Sequence, residues 1–95
     1  MTTDATLERL GQHLADERAL PPHARSTAAG DASLDGVIAL VARARASYAA
    51  GRREVATDLL AQAAYVVGDS WSHASPVATE VLTVQQALAR ARDRA

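Results

Sequence analysis

The sequence predicts an all-α protein, a small bundle of three to four helices with a central antiparallel helical hairpin. Two amphipathic stretches meet at Gly51, and leucine and valine recur at helical steps in the flanking segments. Pro21-Pro22 and Ser75-Pro76 stand where a helix would stop and another would start. At 95 residues the chain fits a single domain, near the size at which one apolar core only just outweighs chain entropy. A second chain is therefore an expected way of completing the core.

Residues 1–20 read as an N-terminal helix, with Leu7, Leu10 and Leu14 on one stripe and Thr3 or Asp4 as N-cap. Gly11 weakens it by ~1 kcal/mol relative to alanine. So narrow a stripe predicts a helix that docks on the rest of the chain without forming its core. Residues 21–33 show no periodicity and are expected to be a mobile linker.

Residues 34–93 hold the hairpin and a C-terminal helix. The first hairpin helix starts at Asp31 or Ser33 and runs to Ala50, with Leu34, Val37, Ile38, Val41, Ala44 and Tyr48 on one side. Gly51 is placed to end it in a left-handed conformation. The next helix, about Arg52 to Val67, has the broadest apolar surface, from Val55 and Ala56 through Leu59, Leu60 and Ala63 to Val66 and Val67, and Gly68 is expected to end it. Ser75-Pro76 then pairs a capping hydroxyl with proline at the first helical position. Val77, Val81, Val84, Leu88 and Ala91 form a packed seam, and Arg90, Arg92 and Arg94 near its C-terminus suit the helix dipole.

Composition excludes several classes of function. The formal net charge of −1 lacks the electrostatic footprint of a general nucleic-acid binder. Without cysteine there are neither disulfides nor thiolate metal sites. No apolar run approaches the ~20 residues of a membrane span, and no secretory leader is evident, so a cytoplasmic location and no membrane partner are expected. Twenty-three alanines and ten arginines with no lysine are the codon signature of a GC-rich genome, so arginine usage by itself has no functional weight.

With Gly51 at a helix–helix turn, Ala44, Ala56, Leu60 and Ala63 fall on the small and large apolar positions of a thirty-four-residue pattern, and Tyr48 lies one place from its aromatic position. The hairpin thus resembles a single tetratricopeptide-repeat unit, covering about a third of the chain. The proline usual after the second helix is replaced by Gly68, and Arg43 stands where leucine is normal. Membership would imply a concave peptide-binding groove, whereas an ordinary helical hairpin satisfies the same packing rules without one.

No stretch of the chain specifies a reaction. His13 has Asp16 and Glu17 one turn later, a local charge pairing on an exposed face that falls short of the three or four ligands a zinc site requires. The loop from Asp69 to Ser75 gathers hydroxyls, His73 and the sole tryptophan, Trp71, but has no nucleophile-elbow framework. It reads as a capped loop whose tryptophan plugs the end of the bundle. Between Glu54 and Ala89 there is no arginine or lysine, so a recognition helix there would repel phosphates.

Tyr65 falls among the polar residues Glu54, Asp58 and Gln62 of its helix, in the manner of an interface anchor. These readings assign no catalytic residue, cofactor or metal ligand. They predict a non-enzymatic helical module that binds another protein or itself, with Tyr65, Trp71, His73, Val81 and Leu88 as candidate contacts. The alternatives are a dimeric DNA-binding regulator using Arg43, Arg45, Arg52 and Arg53, and a small-ligand or catalytic accessory protein using the Trp71/His73 loop.

Overall fold

The structure, a computed structural model, describes residues 2–94 and the side chains of residues 2–91. Four helices follow one another, α1 (Thr3–Ala19), α2 (Asp31–Ala49), α3 (Arg53–Ser70) and α4 (Pro76–Arg94). They pack as a ring in which α1 meets α2, α2 meets α3, α3 meets α4, and α4 returns to α1. Arg45 near the end of α2 pairs with Asp4 at the start of α1, while Arg18 at the end of α1 pairs with Asp31 and Asp35 at the start of α2. Neighbouring helices therefore run antiparallel, and the body measures 42 × 22 × 20 Å.

Each helix end has a local cause. Thr2 caps α1, one residue before the expected Thr3 or Asp4, its hydroxyl accepting from the Ala5 N–H at 3.1 Å. Gly51 closes α2 with φ of +82°, a conformation that glycine adopts without the clash a Cβ would make. Ser75 caps α4, its Oγ accepting from the Ala78 N–H at 3.3 Å, and Pro76 takes the first helical position.

The central hairpin packs through small residues: Ala44, Ala56 and Ala63 are fully buried beside Leu60, letting α2 and α3 approach closely. From α4 the core takes Ala78, Val81, Val84 and Leu88; Val77 is only half-buried. The dipole role expected of Arg92 and Arg94 concerns side chains outside the described residues.

Four expectations need correction. Leu7, Leu10 and Leu14 are almost wholly buried, so α1 is a full wall of the core. Three leucines suffice for a stripe because α2 and α4 flank α1 and cover it from both sides. Next, α3 continues through Gly68 to Ser70, and Gly68 is not left-handed. The helix stops two residues later, where Trp71 turns inward in an extended conformation and donates its backbone N–H to Val67 O at 3.0 Å. Val55, expected on the apolar face, is 46% exposed, since it lies at the edge of the arc that faces the neighbouring helices.

The largest correction concerns residues 21–33. They form an ordered strap, opened by a single 3-10 turn over Pro22–Ala24 and carrying the buried side chains of Arg25, Thr27 and Ala29 before α2 begins at Asp31. Irregular backbone lacks periodicity whether it is mobile or fixed, and here polar side chains fix it.

Candidate interaction surface

The strap and the loop after α3 close one end of the bundle. The Arg25 side chain is 2% exposed, and its guanidinium donates to Leu20 O at 3.0 Å, Arg18 O at 3.0 Å and Ala29 O at 3.2 Å. One arm also pairs with Asp31 at 2.7 Å. Arg25 thus neutralises the carbonyl end of α1 and links it to the first turn of α2, the two places where the helix dipoles favour a cation and an anion. Asp31 is held below its ordinary carboxyl value chiefly by its hydrogen bond from Arg25.

Glu17 is buried beside this clasp. Its carboxylate accepts from the Thr27 N–H at 2.8 Å and the Ser26 hydroxyl at 3.1 Å. The oxygens of Ser26 and Ser75 are 2.8 Å apart, and Ser75 also accepts from the first turn of α4. Because Ser26 donates to Glu17, Ser75 donates to Ser26, so the protons of this chain all point toward the carboxylate. Burial works against the charge on Glu17, but the hydrogen bonds from Thr27 and Ser26 outweigh it and lower its pKa. Among the described residues no buried side-chain nitrogen or oxygen lacks a partner.

The predicted contact residues separate into two groups. Trp71 is 3% exposed, fills the closed end and donates its indole N–H to Ser33 Oγ at 2.8 Å. Val81 and Leu88 are buried in the core. These three residues serve the fold and are not presented to a protein partner, Trp71 because it fills the closed end and the other two because the α4 seam already packs against α1 and α3 of the same chain.

Tyr65 and His73 are on the surface. Tyr65 is 77% exposed near the end of α3, where Ala61 and Gly68 leave the ring standing clear of its own helix. His73 donates from Nε2 to Gly68 O at 3.1 Å, which brings its ring to the turn following Tyr65. Asp69 lies one turn beyond Tyr65, and Asp58 two turns before it. From Glu54 to Ala89 the chain carries only acidic formal charges.

The other candidate chemistry is dispersed. His13 donates from Nδ1 to Glu80 of α4 at 2.6 Å, not to the carboxylates of its own helix, since Glu17 faces the strap and Asp16 accepts from Gln12. Among the described residues no three His, Cys, Asp or Glu side chains gather where an ion could bind. The arginine cluster proposed for DNA is partly engaged, Arg45 in ion pairs with Asp4 and Glu8, and Arg53 stacked 5.7 Å from the Tyr48 ring centre. No helix among the described residues is long and apolar enough to cross a membrane.

At the opposite end of the bundle the first turns of α1 and α3 and the last turns of α2 and α4 enclose a groove of about 490 Å³. Tyr48, Thr57, Val84 and Leu88 line it, with Arg53 and Glu54 on its exposed side. Sequence reasoning missed this groove, because its lining comes from all four helices.

No protein-family model, curated protein or solved structure matches the chain.

Proposed function

We propose that the protein is a non-enzymatic, cytoplasmic helical interaction module whose C-terminal half of α3 receives a basic segment of a partner protein. The exposure of Tyr65 carries this reading: a tyrosine 77% open to solvent, beside small residues and next to the exposed His73, offers a rigid amphipathic anchor. The acidic charge of the surrounding sequence supports a cationic partner through steering and register. The resemblance of α2 and α3 to a tetratricopeptide unit would add peptide recognition by the same hairpin. Self-association through the α4 seam loses its basis, since Val81 and Leu88 are already buried within one chain.

The test is site-specific photo-crosslinking in cells, with a benzophenone residue replacing Tyr65 in one variant and Ser47, on the far helix of the hairpin, in another. The expected result is a discrete heterologous adduct from position 65, weakened by salt and missing from position 47. Equal adduct patterns from both positions would refute the assignment. A homodimer adduct at position 65 would replace the basic partner with a second copy.

A further inference from the structure

We infer that the groove at the open end of the bundle binds a monocarboxylic acid with an aliphatic tail. Its volume of about 490 Å³ falls within the ~300–1,000 Å³ of small-molecule sites, which are largely apolar with a few placed polar groups. The α4 wall fits this description: Val84 and Leu88 supply apolar surface, and Ala87 and Ala91 leave room where larger side chains would fill the space.

The polar groups narrow the ligand further. The Thr57 hydroxyl already donates to Arg53 O at 2.9 Å, and the Thr6 hydroxyl to Thr2 O at 3.0 Å. Neither of these two hydroxyl protons is free for a ligand; the hydroxyls of Thr3 and Tyr48 also line the groove, so the preference for an alkyl chain rests on the apolar α4 wall. Among the described residues Arg53 is the single cation in the lining and is in no ion pair, and it is held over Tyr48 at 5.7 Å from the ring centre. A guanidinium in that position offers paired donors to a carboxylate at the mouth of the groove. Glu54 on the same side opposes a second negative charge, which favours a monocarboxylate over a phosphate dianion or a dicarboxylate.

The site is independent of the Tyr65 surface and its test is separate. Full-length protein labelled with nitrogen-15 is titrated with decanoate below its micelle concentration, with decylamine and decyl phosphate as comparisons. Saturable shifts confined to residues around Tyr48, Arg53, Thr57 and Leu88 are expected with decanoate, and weaker ones with the other two probes. R53Q is expected to weaken decanoate binding about tenfold or more, and E54Q to leave it unchanged or tighter. A87W, placed on an exposed position of α4 where added bulk enters the groove and not the core, abolishes binding with the helical spectrum intact. No saturable shift at the groove would overturn the inference. So would decylamine or decyl phosphate binding as well as decanoate, or R53Q or A87W binding like the unaltered chain.

Discussion

Replacing Arg25 with alanine separates an ordered clasp from a mobile linker. The side chain is 2% exposed and donates to three backbone carbonyls, of Arg18, Leu20 and Ala29, before reaching Asp31. The Ala29 carbonyl bond is buried, so losing its donor leaves an acceptor poorly served by water, at about 1–3 kcal/mol. The other two carbonyl bonds are only part-buried, and water replaces the donor at roughly 0.5–1 kcal/mol each. The link to exposed Asp31 adds nothing to the sum, because solvent screens it. The total, about 2–5 kcal/mol, corresponds to a fall in Tm on the order of 10–40 °C for a domain of this length. R25K is expected to keep most of the loss, since one ammonium cannot span three carbonyls. Thermal unfolding followed by circular dichroism gives Tm, and hydrogen exchange reads protection of residues 21–30. A Tm within ~5 °C of the unaltered protein, or unchanged protection of the strap, would refute the clasp.

Other outcomes follow from the same geometry. Glu17 has a lowered folded pKa, so the stability due to its ionisation is complete above its ordinary value of 4.5 and is lost as pH falls through the lower folded value; E17Q should be less stable at pH 7 and show a flatter acid limb in Tm against pH. Leu10 is fully buried, so L10A should lose about 2–5 kcal/mol in urea unfolding, whereas a helix merely docked on the surface would lose far less. Ala28 holds a left-handed φ of +57°, and A28G should stabilise the strap by about 1 kcal/mol by removing the Cβ clash. Y65A should change stability by no more than about 0.5 kcal/mol, and a large drop in Tm would mean that the ring serves the fold.

The four helices were legible because their signals are local. Gly51 supplies a left-handed residue, Ser75-Pro76 supplies a cap and a preset φ, and the three leucines of α1 repeat with the period of a helix. Gly68 misled because a glycine ends a helix only when the following residues favour leaving it. Here α3 continued for two more residues and stopped where Trp71 could reach the core and Ser33.

The clasp was not legible because none of its contacts is local in the sense a periodicity detects. Ser75 is far in the chain from Glu17 and Ser26 and joins them only when α1 and α4 lie side by side. Arg25 resembles any other loop arginine until the end of α1 and the start of α2 converge around it. The separation of the candidate contacts was decided in the same way. Valine, leucine and tryptophan are equally suited to an interface and to a core, and the sequence marks them only as apolar. Tertiary packing enclosed Trp71, Val81 and Leu88 and left Tyr65 in water. Local backbone preferences set where the helices begin and end, whereas burial depends on which other helix covers each face, and that is settled only when all four are packed together.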